Sequence, residues 1–184
     1  MLQQTLTELL YSYHVPEDLC ITYWAEIEKY YNNKKRHYHN LTHLENLLEQ
    51  LSACKSQVKD WDSILFAVYY HDIIYNTLKK DNEERSALLA VKRLTAIRYA
   101  PGKCALCSQH ILATKSHAIS KNNDTNLFTD ADLSILGAPA ETYTAYTKQI
   151  RREYSLYPDF MYKPGRKKVL EYFLQMERIF KTDH

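Results

Sequence analysis

Glycine is scarce in this chain, 3 of 184 residues, and proline is little commoner at 5. Sheets with many strands need many tight turns, and tight turns lean on glycine. The shortage argues against a β-rich architecture and for helices. Charge of one sign is lacking too. Lys and Arg number 24 against 22 Asp and Glu, a formal net charge of +2. No global field favours nucleic acid, and specific nucleic-acid binding is not expected. Long apolar runs are missing: the longest, from Ile64 to Tyr70, is far too short to cross a bilayer, so no membrane association is expected. The first residues carry Glu8 and no basic start followed by an apolar stretch, unlike a secretory signal. The four cysteines, Cys20, Cys54, Cys104 and Cys107, are therefore expected as free thiols in a reducing cytoplasm.

What is present is ordinary globular material. Hydrophobic residues make up 45% and charged residues 25%, enough to bury a core in a single domain. Apolar residues recur at helical spacing at Leu2, Leu6, Leu9 and Leu10, and again at Leu19, Tyr23, Ile27 and Tyr30 after Pro16. Asn40 is a plausible N-cap for a helix over 41–51 with a leucine stripe. A helix over 60–75 is apolar nearly all round and belongs in the middle of the domain. Further helices are expected from Asp81 or Asn82 to about Tyr99, over 102–117, over 127–136 and over 140–154. Residues 120–126 read as a loop, and 158–164 as a break before a last helix carrying Val169, Phe173, Met176 and Phe180. The fold class that follows is all-α.

Chemistry concentrates in a few polar residues set among apolar ones. His71 and Asp72 follow the most apolar stretch of the chain, where an ionised carboxylate is costly unless charge or hydrogen bonds offset it. A His-Asp pair alone is weak evidence for a metal. It gains weight from His37, His39 and His43, crowded into one short segment, with His39 and His43 four apart. Asp132 enters an otherwise apolar helical turn, whereas the neighbouring Asp130 fits a helix N-cap better. Cys104 and Cys107 have CxxC spacing but no second pair, and are expected to be helix residues without a metal or redox role. Arg151, Arg152 and Glu153 are expected in surface or interhelical ion pairs.

The order His43, His71-Asp72, Asp132 resembles the HD superfamily of metal-dependent phosphohydrolases, and more closely a small group of predicted metal-dependent HD phosphohydrolases. The matching blocks are residues 36–43 (RHYHNLTH), 71–75 (HDIIY), 82–87 (NEERSA), 111–117 (ILATKSH), 130–137 (DADLSILG) and 146–154 (YTKQIRREY), then Gly165-Arg166. The resemblance implies one HD-type domain over 1–184, with a bundle core at about 36–137 and helical extensions at both ends. It implies that His43, His71, Asp72 and Asp132 ligate one divalent transition metal. A mixed nitrogen and carboxylate shell suits Mn, Fe, Zn, Co or Ni better than Mg. Asp72 or Glu83 would serve in proton transfer, and Asn82, Glu83 and Ser86 would face the site. Arg36, Lys115 and Arg85 are candidates for substrate phosphate, each with an ordinary solvated face as the alternative. His39 and His117 are candidates too, His117 with a surface position at a helix C-terminus as its alternative, and His110 is a further candidate near a second ion. For His39, helix-entry packing is an equal alternative, and for Glu83 favourable placement in a first helical turn. The implied activity is hydrolysis of a phosphate ester or anhydride in a nucleotide or other small phosphorylated metabolite. Two alternatives stand beside it: a non-catalytic nucleotide-binding HD regulatory module, and a di-iron HD oxidase. Tyr38 and Tyr75 lie where they could stack a base. A homodimer through the helix after Ala140 is compatible with the pattern.

Overall fold

The structure, a computed structural model, describes residues 1–183. Those residues form nine α-helices and no strands. They are α1 (Leu2–Ser12), α2 (Glu17–Tyr31), α3 (Leu41–Ala53), α4 (Trp61–Tyr70), α5 (Asn82–Ala96), α6 (Pro101–Ala113), α7 (Asn123–Asp132), α8 (Ala140–Glu153) and α9 (Asp159–Leu174). Short 3-10 turns occupy Lys55–Gln57 and Ser134–Gly137. None of the described helices is long and apolar enough to cross a membrane.

Helix α4 is the centre of the bundle, as its composition requires. Every residue from Ser63 to Tyr70 is buried. It packs on α3, α5 and α6, while α5 and α6 form a hairpin and α7 closes over α3 and α6. Leu44, Leu47 and Leu51 of α3 meet this core with at most 1% exposure, which is the predicted leucine stripe. The four cysteines are buried and unpaired. Cys104 and Cys107 belong to α6, and burial pushes both thiols above their ordinary range.

Helix α4 ends five residues earlier than the apolar pattern predicts, and side chains cause the stop. The imidazole Nδ1 of His71 donates to the Val68 carbonyl at 3.0 Å. That carbonyl is the acceptor the Asp72 N–H would need to continue the helix. The Asp72 N–H donates instead to the Tyr31 hydroxyl at 3.2 Å. The buried Arg36 then takes the Asp72 and Ile73 carbonyls at 2.7 and 2.8 Å. Ser86 and Asn82 fix the strand-like exit: Ser86 Oγ accepts from the Ile74 N–H, and Asn82 bonds both the N–H and the carbonyl of Asn76.

Other boundaries differ from the sequence pattern: α6 stops at Ala113 and not at 117, and α7 at Asp132, with a 3-10 turn over Ser134–Gly137. Helix α7 begins inside the polar stretch read as a loop, because the Asn122 side chain caps it by accepting from the Asp124 N–H. Asp130 is therefore not an N-cap but a mid-helix residue. Its buried carboxylate accepts from the backbone N–H groups of Lys181 and Thr182 and from the Lys181 ammonium, pinning the C-terminal tail. Helix α9 runs through the predicted break, with Pro164 inside it. It then stops at Leu174, short of Met176 and Phe180, and none of its residues is buried.

Candidate metal centre

Three helix termini converge on one point. The Asn40 side chain caps α3 by accepting from the Thr42 and His43 N–H groups, which sets His43 on the first turn facing inward. His71 and Asp72 leave the broken end of α4, and Asp132 is the last residue of α7. The Nε2 atoms of His43 and His71 lie 3.1 Å apart. Asp132 Oδ1 is 3.2 Å from the first and 3.7 Å from the second. The donor atoms of His43, His71 and Asp132 all fall within 4.8 Å of one another, an arrangement that could hold a metal ion. Asp72 Oδ2 flanks this trio, 3.3 Å from His71 Nε2 and 3.8 Å from His43 Nε2.

These separations fit a shared cation. Ligands about 2.1 Å from one ion and 90° to 109° apart stand roughly 3.0 to 3.4 Å from each other. The donor chemistry fits as well. A carbonyl can only accept, so His71 Nδ1 carries a proton and Nε2 is the atom turned into the cluster. Both Asp132 and Asp72 are held well below the usual carboxylate range. Burial opposes this, but hydrogen bonds from His117 and His43 outweigh it for Asp132, and the charges of His71 and His39 do so for Asp72. His71 answers in kind. Burial would lower its pKa, yet the carboxylates of Asp72 and Asp132 raise it to about 9.

Two of the surrounding residues act differently from expectation. Glu153 is not a surface ion-pair residue: its side chain is wholly buried. Oε1 accepts from the backbone N–H groups of His37, Tyr38 and His39 at 2.8, 2.8 and 3.0 Å. Oε2 accepts from His39 Nδ1 at 2.7 Å and from the Tyr75 hydroxyl at 2.9 Å. These partners overcome the cost of burial and hold its carboxyl at about 2. Glu153 thereby shapes the entry to α3 and leaves His39 Nε2 facing Asp72 at 3.9 Å. Arg36 spends its guanidinium on the carbonyls of His39, Asp72 and Ile73, so it braces the centre from behind. Arg151 does form a surface pair, with Asp159.

The centre opens into a cleft of about 460 Å³. His39, Asp72, Glu83, His117 and Asp132 face it. His117 Nε2 bonds Asp132 Oδ2 at 2.9 Å, so it steadies a proposed ligand while facing the cleft. Its backbone is left-handed, with φ 51°, as the chain turns out of α6. Glu83 is half-buried, and desolvation, reinforced by the Asp72 charge, raises its pKa. Asn82 and Ser86 bond the loop after α4 instead of facing the cleft. Lys115 is elsewhere: its ammonium is exposed, paired with Glu84 and bonded to the Lys80 carbonyl. His110 is buried between α6 and α7, bonded to Thr125, and is not at the cleft.

The basic residue that does line the cleft is Arg166 of α9, bonded to the Tyr146 hydroxyl at 2.9 Å. Tyr146, Tyr154, Tyr157 and Tyr162 form a tyrosine wall of the same cleft. Tyr75 is packed face to face on His39, with ring centroids 4.2 Å apart, and is engaged by Glu153. Tyr38 packs against His43 and Tyr146. No protein-family model matches this chain, and neither does any curated protein or solved structure.

Proposed function

We propose that this protein is a metal-dependent phosphohydrolase of the HD type, acting on a nucleotide or another small phosphorylated metabolite. The observation that carries the reading is the meeting of His43 Nε2, His71 Nε2 and Asp132 Oδ1, with Asp72 beside them and both carboxylates lining the cleft. The ordered blocks that resemble HD proteins support it, as does the mixed nitrogen and carboxylate donor set, which favours Mn, Fe, Zn, Co or Ni. A divalent ion bound there supplies Lewis acidity to a phosphoryl oxygen and lowers the pKa of water.

The side chains have separable roles in this reading. His117 fixes the orientation of the Asp132 carboxylate through its 2.9 Å bond. Glu83, desolvated and with a raised pKa, accepts the proton of the attacking water. Arg166 takes up the negative charge of the phosphoryl group, which neither Arg36 nor Lys115 is positioned to do. The tyrosine wall limits water and offers flat surfaces to a planar group.

Metal content of the purified protein, with His71→Ala and Asp132→Asn beside it, tests the centre. Phosphate release with Mn²⁺ on a panel of nucleotides and sugar phosphates tests the chemistry. The expected result is near-stoichiometric metal and turnover in the parent chain, both lost in each variant. Equal metal in all three proteins would overturn the site. Metal without turnover on any phosphate would favour the regulatory-module reading.

A further inference from the structure

A second cavity, of about 560 Å³, shares Tyr75 with the first and is lined by Glu153 as well. Its lining includes Lys34, Lys35, Arg36, Arg85 and Arg152, with Glu153 as its carboxylate. The oxygens of that carboxylate are already taken by three backbone N–H groups, His39 and Tyr75. Among the described residues, no salt bridge engages Lys34, Lys35, Arg85 or Arg152. This contrasts with cations elsewhere on the surface, where Arg93 pairs with Glu26, Lys103 with Asp60 and Arg151 with Asp159. The cube root of the volume is about 8 Å, comparable to the Debye length of about 8 Å at physiological ionic strength, so the fields of these cations add inside it. Like charges gathered this closely repel one another, and an anion is what relieves them.

We propose that this second cavity binds a small molecule carrying two or more phosphate groups. Its concavity and size suit a compact anion, and the cations come from three separate segments, 34–36, α5 and α8, to line one cavity instead of running along one helix as a stripe for a polymer would. Lysine and arginine are both suited to phosphate oxygens, arginine with a two-pronged geometry. The site is separate from the metal centre, and the proposal stands or falls independently of the hydrolase reading. The shared wall matters all the same. Arg36 lines this cavity and holds the Asp72 carbonyl, so an anion seated here lies one side chain from the centre.

The probe is inorganic tripolyphosphate, titrated calorimetrically into the full chain after metal has been stripped and the chelator removed. Three variants accompany it: the double Lys34→Glu, Lys35→Glu; the double Arg85→Glu, Arg152→Glu; and Arg166→Ala in the first cleft. All the charge-reversed side chains are exposed, and melting curves identify variants that keep the fold. The expected result is saturable binding that weakens about tenfold or more in each charge-reversal variant and is unchanged in Arg166→Ala. No binding to the parent chain would overturn the proposal. So would binding lost in Arg166→Ala but kept in the charge reversals, which would assign the anion to the first cleft. Tighter binding of a short single-stranded oligonucleotide, lost in the same charge reversals, would replace it with a nucleic-acid surface.

Discussion

Glu153→Gln separates a buried organiser from a surface ion-pair residue. The carboxyl sits at about 2 in the folded protein, against an ordinary 4.5. That difference is worth about 3 kcal/mol of preference for the charged form. The side chain has no exposure, so solvent screening does not reduce the figure. Glutamine would present an NH₂ group to at least one of the donors now satisfied by the two oxygens. Leaving buried donors unpaired costs about 1–3 kcal/mol each, so the total loss is about 3–5 kcal/mol. At the size of this domain such a loss lowers the melting temperature by roughly 10 °C. The sign with pH follows from a depressed folded value. The contribution is complete above 4.5 and is lost as pH falls from 4.5 through 2. Urea denaturation of the two proteins at pH 7 and again near pH 3 reads both quantities. A difference under about 0.5 kcal/mol at pH 7, the range of an exposed pair, would refute the reasoning. So would a difference that does not shrink in acid.

Other consequences are open to direct measurement. Asp130→Ala should release the C-terminal tail, because the Lys181 ammonium and two backbone N–H groups lose their acceptor; trypsin should then cut at Arg178 and Lys181 well before the bundle, and equal cutting rates would contradict the pin. His110 is buried with its Nε2 unpartnered, and burial lowers its pKa from 6.5 to about 4. Stability should therefore fall by about 3 kcal/mol as pH drops from 6.5 to 4, and His110→Gln should flatten that interval in a denaturation series. His71 has the opposite sign: its pKa is raised to about 9, so metal-stripped protein should lose stability as pH rises from 6.5 through 9. Saturating Mn²⁺ should remove that decline, and an unchanged slope with metal would count against His71 as a ligand.

Local signals were legible in the sequence, and long-range ones were not. The Asn40 cap, the leucine stripe of α3 and the start and burial of the apolar α4 depend on neighbours within a few residues, and each is found where the pattern puts it. His71 and Asp132 stood out as polar residues in apolar surroundings and His43 as one of three histidines in a short segment; the HD resemblance joined them, and the fold brings the three together. The end of α4 was misjudged because its causes lie far away in the chain: Tyr31 and Arg36 reach Asp72 across 41 and 36 positions. Glu153 was misjudged because Arg151 and Arg152 beside it are partly or fully exposed, and nothing local marks the one residue that turns inward. Its partners, residues 37–39, are more than a hundred positions distant. Arg166 was named only within a matching block and given no role, because residues 158–164 read as a break and the segment gave no reason to place a cleft-lining face there. Pro164 is the sixth residue of α9, past the N–H groups that lack helical partners, so the helix continues through it without a bond to the Phe160 carbonyl.

The buried charges divide into two kinds, and the division is the physical case for a cation. Arg36, Glu153 and Asp130 each take backbone groups, three carbonyls, three N–H groups and two N–H groups respectively, while side chains of His39 and Tyr75 also reach Glu153 and those of Lys181 and Thr182 reach Asp130. Each closes a break in regular structure. The cluster of His43, His71, Asp72 and Asp132 is different, because its members chiefly face one another. His71 uses Nδ1 on a carbonyl, so within the cluster it offers a lone pair or, when protonated, one donor. The carboxylates offer only acceptors. Protons can join these atoms two at a time, and the raised His71 value near 9 is the sign that one does so in the absence of a better charge. A divalent ion satisfies several lone pairs at once and carries twice the charge, so it should displace that proton on binding. Proton release on addition of Mn²⁺ at pH 7, lost in His71→Ala, is the expected consequence.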